Sequence, residues 1–184
     1  MKVALEYASF LIEQRVKPGE TVIDATCGNG HDTTFLARLV GEGGSVFAFD
    51  VQEEAIQNTR TRLSQEGLLS RVNLINDNHD RLGSYIDSPI SCCMFNLGYL
   101  PGGDHYIITR PDFTIPAVEQ AASLLTPGGI ITIICYRGHQ GGQEEYKTLH
   151  IFCQQLQQNL FTVLEYKFIN QANYPPLLLA IEKR

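Results

Sequence analysis

The amino-acid sequence predicts a doubly wound α/β fold, in which a seven-stranded, mostly parallel sheet has helices on both faces and an antiparallel strand at one edge. Short apolar runs bounded by turn residues alternate with helix-length segments, as parallel strands with crossover helices require. The last two runs, 161–168 and 177–181, are joined only by the turn-rich stretch 169–176, which is typical of an antiparallel pair. No internal repeat or linker is present, so residues 1–184 are expected to form one domain.

The predicted elements follow in order along the chain. A first helix is expected over about residues 2–15, with Leu5, Phe10, Leu11 and Ile12 available for an apolar face. Further helices are predicted at 32–40, 53–66, 81–86, 116–125 and 143–159. Strands are predicted at 21–25, 46–50, 72–76, 91–96, 130–135, 161–168 and 177–181.

Composition and charge exclude several classes of protein. The net charge of −6 argues against a surface that binds nucleic acid everywhere, although a local basic patch remains compatible with it. The N-terminal segment carries Glu6 and Glu13 among its apolar residues, unlike a signal peptide, and runs such as 130–135 are too short to span a bilayer. The five cysteines form no C-x-x-C pair and are odd in number, so we expect reduced, buried thiols and a cytoplasmic protein.

The first predicted strand ends in a glycine loop that favours a nucleotide-like ligand. Residues 22–33 read VIDATCGNGHDT, where Gly28 and Gly30 would allow a sharp bend and a close backbone approach. The N–H groups that open the following helix suit an anionic group. Asp50 ends the second strand 20 residues after Gly30, where a carboxylate can accept both hydroxyls of a ribose.

Two cofactors fit this pattern. Dinucleotide-binding enzymes use G-x-G-x-x-G, and here Thr33 occupies the place of the third glycine. Methyltransferases that use S-adenosylmethionine place an acid before the loop, and Asp24 supplies one that could hold the methionine ammonium directly or through water. A dinucleotide-binding oxidoreductase and a tight turn without a ligand remain the alternatives.

The third strand end, NDNHD at 76–80, would flank the adenine in a methyltransferase. Asp77 or Asn78 is a candidate partner of the exocyclic amine, and His79 would pack on or bond to the ring. The alternative is a turn in which these side chains cap the next helix without contacting a ligand.

The fourth strand end carries the densest group of functional residues, FNLGYLPGGDH at 95–105. Asn96–Tyr99 resembles the [D/N/S]-P-P-[Y/F/W] loop of methyltransferases that modify amino nitrogens, with Leu97–Gly98 in place of Pro-Pro. An amide oxygen that accepts a hydrogen bond from an amine would aim the nitrogen lone pair, and Tyr99 would pack on a planar base. Asp104 and His105 are candidate proton acceptors, or alternatively loop braces.

Taken together, VIDATCGNGHDT, FAFDVQ, NDNHD, FNLGYLPGGDH, TPGGIITIICYRGHQGGQEE and NYPPLLLAIEK resemble the YtqB-like (MnmM) family of tRNA methyltransferases, formerly labelled rRNA methylases. The resemblance covers essentially the whole chain. It implies a Rossmann-like class I methyltransferase that methylates the amine of 5-aminomethyl-2-thiouridine at the tRNA wobble position to give 5-methylaminomethyl-2-thiouridine. An rRNA base or a small amine is the alternative substrate.

The resulting site prediction has three parts. The residues expected to hold S-adenosylmethionine are Asp24, Thr26, Gly28, Asn29, Gly30, Asp32, Thr33, Asp50, Val51, Gln52, Asn78, His79, Asn96 and Gly98. Those expected to act in catalysis are Asn96, Tyr99, Asp104 and His105. No metal site is predicted.

The third part of the site prediction is the substrate rim. After the fifth strand, Tyr136, Arg137 and His139 would join Tyr99 and Arg110 in contacting a tRNA anticodon loop through stacking and phosphate contacts. Surface ion pairs are the alternative role for the two arginines. No membrane partner is expected, and the first helix or the 99–116 segment could support a homodimer.

Overall fold

The structure, a computed structural model, describes residues 1–103 and 106–184. The strands are β1 Thr21–Asp24, β2 Ser45–Phe49, β3 Val72–Ile75, β4 Ile90–Leu97, β5 Leu125–Cys135, β6 Phe161–Tyr166 and β7 Leu177–Lys183. The α-helices are α1 Ala4–Glu13, α2 His31–Val40, α3 Glu53–Gln65, α4 Pro111–Leu124 and α5 Gly142–Gln155. Two 3₁₀ helices cover Leu69–Arg71 and His79–Ser84.

All seven strands form one sheet in the order β3-β2-β1-β4-β5-β7-β6. β1 to β5 pair in parallel, whereas β7 pairs antiparallel with both β5 and β6. The predicted mostly parallel sheet with an antiparallel pair at one edge is therefore confirmed. The strand that runs against the others is β7, the inner member of that pair, because the short β6–β7 connection folds back between β5 and β6.

Both faces of the central strands β1, β4, β5 and β7 are largely buried, which explains why these strands read as continuous apolar runs, whereas the edge strand β6 is exposed or half-buried throughout. Alternate residues of β4 point to opposite faces. Cys93 and Phe95 join the core formed with α4 and α5, whereas Cys92 and Met94 join the core formed with α1 and α2. All five cysteines are free and buried, as predicted.

Several element predictions needed correction, and among them β5 begins at Leu125 rather than at 130 and α5 ends at Gln155 rather than at 159. α4 begins at Pro111 rather than at 116, because a proline is well suited to the first helical position, and Pro116 then lies within the helix. The segment predicted as a helix at 81–86 is the short 3₁₀ helix His79–Ser84. On α1 the buried positions are Ala4, Ala8 and Ile12 at a spacing of four, which leaves Leu5 and Phe10 each 38% exposed.

Candidate active site at the carboxyl ends of the strands

One large cleft, of about 870 Å³, opens at the carboxyl ends of the strands. β1 lies between β2 and β4, so the connections diverge on either side of it, and this switch point is where doubly wound sheets bind ligands. Most of the predicted site residues line the cleft. They are Thr26, Asn29, Asp32, Asp50, Val51, Gln52, Asn78, His79, Asn96, Gly98, Tyr99, Arg110, Tyr136, Arg137 and His139.

The loop after β1 packs tightly against α3. Gly30 has φ 80°, and a Cβ at this position would lie 2.9 Å from the Cα of Thr59. Gly28 has φ 50°, and its carbonyl accepts a hydrogen bond from the Thr59 hydroxyl at 2.9 Å. The two glycines thus shape the loop, while the Asn29 side chain beside them bonds to the Pro101 carbonyl at 3.2 Å.

Asp24 lies behind this loop and not on the cleft wall. Its side chain is 1% exposed, and it accepts hydrogen bonds from the Thr33 hydroxyl at 2.6 Å and the Thr26 N–H at 3.2 Å. Burial raises the pKa of the Asp24 carboxyl to about 7, and the Asp32 carboxylate acts in the same direction. Asp24 thus braces the loop, and its contact with the methionine ammonium, directly or through water, stays a prediction. The residue in the place of the third glycine, Thr33, donates one of the two hydrogen bonds that hold the Asp24 carboxylate.

Asp50 at the end of β2 is organised by backbone donors. One carboxylate oxygen accepts from the Gly28 N–H at 3.0 Å and the other from the Gln52 N–H at 2.9 Å. Burial raises the pKa of this carboxyl, whereas these two hydrogen bonds lower it. Each oxygen retains acceptor capacity toward the cleft, which suits a pair of hydroxyls.

The third strand end combines capping with an unused acceptor. Asn78 caps the following 3₁₀ helix by accepting from the Asp80 N–H, and Asp77 accepts from the Tyr85 hydroxyl at 2.7 Å. His79 differs, because its Nδ1 lies 3.1 Å from the carbonyl oxygen of Ala25. A carbonyl oxygen can only accept a hydrogen bond, so Nδ1 carries the proton. Burial lowers the pKa of His79 and keeps the ring neutral. Its buried Nε2 is then an acceptor without a partner among the described residues.

Asn96 and Asp32 are joined, although β2, α3, β3 and two 3₁₀ helices separate them in the sequence. The Asn96 Nδ2 donates to the Asp32 carboxylate, and the Asn96 N–H donates to the Thr26 hydroxyl at 2.7 Å. Burial raises the pKa of Asp32, and the bond from Asn96 lowers it. The Asn96 Oδ1 is buried and meets no hydrogen-bond donor within the described part of the chain. An acceptor and an acid thus meet at the junction of β4 and α2.

The segment after β4 is braced by a buried acid that sequence reasoning missed. Glu145 on α5 is 3% exposed and accepts from the hydroxyls of Thr109 at 2.8 Å and Thr114 at 2.7 Å. The Thr109 hydroxyl in turn accepts from the Gly98 N–H at 2.9 Å. Burial raises the pKa of Glu145, and the two hydroxyls oppose that shift. No sequence pattern singles out Glu145, because the network joins three distant segments.

The opposite rim of the cleft is aromatic and cationic. Tyr99 packs edge-on against His139 with ring centroids 5.8 Å apart. Arg137 donates to the Pro175 carbonyl at 3.1 Å, and its guanidinium lies over the rings of Tyr146 and Tyr174. Neither Arg110 nor Arg137 forms an ion pair with a described carboxylate, which argues against the surface ion-pair alternative.

Several lining residues were not predicted. Tyr106, Ile107 and Phe113 add exposed apolar surface to the rim, and only their proximity to the 95–105 motif could have drawn attention to them. Tyr174 of the NYPP segment, for which packing of the edge loop is the alternative role, also lines the cleft and is exposed. The predicted proton acceptors, Asp104 and His105, lie outside the described residues.

Comparison with known proteins agrees with this geometry. The family model described as "Putative rRNA methylase" matches residues 46–182. A curated relative, the chloroplastic "tRNA (mnm(5)s(2)U34)-methyltransferase" of Arabidopsis thaliana, is 37% identical over 192 residues, which cover 99% of this chain and 70% of that protein. The chain belongs to this methylase family. The resemblance and the methyltransferase class predicted from the sequence are confirmed, and the dinucleotide-binding oxidoreductase is disfavoured.

Solved structures of similar proteins extend the match to the whole fold. A "putative rRNA-methylase from Clostridium thermocellum" is 50% identical, with a TM-score of 0.99 and coverage of 100% of this chain and 99% of that chain. A "putative methyltransferase from streptococcus mutans in complex with SAH" is 38% identical, with a TM-score of 0.93 and the same coverage. No helix in the described part of this family member has the length and apolarity needed to cross a membrane.

Proposed function

We propose that the protein is an S-adenosylmethionine-dependent tRNA methyltransferase that converts 5-aminomethyl-2-thiouridine at the wobble position into 5-methylaminomethyl-2-thiouridine. The observation that carries the proposal is the two-sided cleft, which places a nucleoside-type half beside an amide acceptor and an aromatic rim. The relative named for this wobble-uridine reaction matches the chain from end to end. On this proposal residues 1–184 act as one methyltransferase domain.

The residues in the half of the cleft at the carboxyl ends of β1 to β3 fit the proposed cofactor. The Asp50 carboxylate, fixed by two backbone N–H groups, would accept the ribose hydroxyls. The partnerless Nε2 of His79 would accept an N–H from the adenine, because its tautomer is set by the Ala25 carbonyl. When bound, S-adenosylmethionine supplies an electrophilic methyl group on a sulfonium. Asp24, Gly28, Gly30 and Thr33 contribute by shaping the loop.

The amine of the substrate would be oriented at the junction of Asn96 and Asp32. Asn96 Oδ1 lacks a donor among the described residues, and an N–H of the substrate would supply one. That bond would hold the nitrogen in line for attack, which is a positioning effect. The Asp32 carboxylate, bonded to Asn96, would attract the protonated amine of the substrate to the site. The amine must then lose its proton before it attacks the methyl group. Asp104 and His105 stay the predicted proton acceptors.

The aromatic and cationic rim would bind the anticodon loop. Tyr99 and Tyr136 would pack on the target base, while Arg110 and Arg137 would meet phosphates. His139 stays a proposed stacking partner beside Tyr99. The exposed Leu5 and Phe10 on α1 keep the homodimer among the proposals, which light scattering would test.

The decisive experiment uses tRNA that lacks the modification. Purified protein is incubated with S-adenosylmethionine and tRNA from a strain without this gene, and the RNA is digested to nucleosides for mass spectrometry. We expect a gain of 5-methylaminomethyl-2-thiouridine at the expense of 5-aminomethyl-2-thiouridine. No gain from tRNA, but methylation of rRNA or of a free amine in parallel reactions, would reject this substrate and favour the alternatives.

A further inference from the structure

A second depression, of about 270 Å³, lies beside the cleft and is walled by the end of β5 and the β6–β7 loop. We propose that it binds one nucleotide of single-stranded RNA adjacent to the target nucleotide. The inference rests on the proposed function, because it assumes an RNA substrate in the cleft. Arg137 and Tyr174 line both depressions, so a chain that fills one continues directly into the other.

Tyr174 offers a stacking surface that the fold holds in an unfavourable backbone conformation. The side chain is 62% exposed, although a ring of this size usually gains by burial. Asn173 and Tyr174 have φ values of 63° and 48°, in the left-handed region that bulky residues rarely adopt. Tyr174 also precedes Pro175, which favours extended backbone. Such conformations persist only where the surrounding structure holds them, and they cluster at active sites and ligand-binding segments.

Arg137 fixes the position of this ring. Its guanidinium lies 5.8 Å from the Tyr174 ring centroid and 5.4 Å from that of Tyr146. It also donates to the carbonyl of Pro175 at 3.1 Å, so the residue after Tyr174 is tied to the rim. A ring backed by a cation and open to solvent is a preformed platform for a base, since every base has a π face.

The remaining walls match the other parts of a nucleotide. Lys167 carries a positive charge that can meet a phosphate, although it also contacts Glu165 at 2.9 Å. Gln171 is exposed and can exchange hydrogen bonds with a base edge. Ile169 is 90% exposed beside them and offers apolar surface. The volume is below the roughly 300–1,000 Å³ of small-molecule pockets, which favours one nucleotide over a second cofactor.

The test measures the affinity for a labelled anticodon stem–loop by fluorescence anisotropy, with S-adenosylhomocysteine present. Tyr174→Ala should weaken binding roughly 5- to 150-fold, the range for loss of one stacked base. Tyr174→Phe keeps the ring and should stay within about twofold of wild type. Ile151→Ala is the control, because this apolar residue on α5 is 55% exposed and lines neither depression. Lys167→Ala should reduce the slope of log affinity against log salt concentration by about 1, the contribution of one phosphate contact. Lys147→Ala on α5 should leave this slope unchanged.

Abasic stem–loops identify the nucleotide. When the base on one side of the target is removed, Tyr174→Ala should cause no further loss, because both changes remove the same contact. Unchanged affinity of Tyr174→Ala, or full additivity with abasic changes on both sides, would overturn the site. Calorimetry with S-adenosylhomocysteine checks that the variants are folded. A wild-type protein that binds no RNA would instead refute the proposed function, and this site with it.

Discussion

The two halves of the cleft are built on different principles. At the ends of β1 to β3, most polar side chains are already bonded within the protein, as in Asp24 with Thr33 and Asp50 with the Gly28 N–H. At the ends of β4 and β5, exposed aromatic rings and arginines that lack carboxylate partners among the described residues dominate. A rigid half suits a small ligand of constant shape, whereas an open, cationic half suits an RNA loop.

The largest expected effect breaks the rigid half. Asp50→Ala removes the acceptor of the Gly28 and Gln52 N–H groups as well as the proposed ribose contact, so the Kd for S-adenosylhomocysteine should rise on the order of 100-fold by calorimetry. The exposed Asp87 provides the control, and Asp87→Ala should leave the Kd unchanged. A Kd within about threefold of wild type would place the ribose elsewhere.

The next prediction tests the junction between the halves. Asn96→Ala should lower kcat on the order of 100-fold and change the Kd for S-adenosylhomocysteine less than about threefold, if Asn96 orients the amine. Because Asn96 donates to Asp32, the double variant with Asp32→Asn should be less impaired than the two single effects combined. Equal loss of cofactor affinity and turnover would instead assign Asn96 to the rigid half.

A smaller effect is expected from the brace beneath the open half. Glu145→Ala leaves the Thr109 and Thr114 hydroxyls without their buried acceptor and loosens the hold on the Gly98 N–H. We expect kcat/KM for tRNA to fall about tenfold, with S-adenosylhomocysteine affinity unchanged. Glu144→Ala changes the neighbouring exposed acid on α5 and should match wild type. Loss of cofactor affinity would show that the two halves are not independent.

The smallest effect concerns the stability of the rigid half. Folding raises the pKa of Asp24 from its ordinary value of 3.8 to about 7, so the folded state binds this proton more tightly. That contribution is complete below about pH 4 and is lost as the pH rises through 7. Asp24→Asn removes the titrating carboxyl, so the Tm of this variant should exceed that of wild type at pH 8 but not at pH 4. For a chain of this size, each kcal/mol of difference in the free energy of unfolding shifts Tm by about 2–4 °C. An equal difference at both pH values would contradict the assigned titration.

The sequence predicts those parts of the candidate site in which the functional residues directly follow a single apolar strand. The glycine loop, Asp50 and the 95–99 segment all follow apolar runs, and parallel strands bring their carboxyl ends to one edge. The burial of Asp24 and its bond to Thr33 were not predictable, because they depend on how α2 packs over β1, and its contact with the cofactor stays a prediction. Asp104 and His105 stay predictions.

The sequence by itself determined the order of elements, the parallel sheet and the edge where ligands bind, since local hydrophobic periodicity and turn chemistry encode them. Only the tertiary structure decided which polar groups meet. Asn96 joins Asp32, Glu145 braces Gly98 through Thr109, and Arg137 backs Tyr174. Such pairs join segments distant in the sequence, and their distances depend on how helices pack on the sheet, which no local pattern specifies.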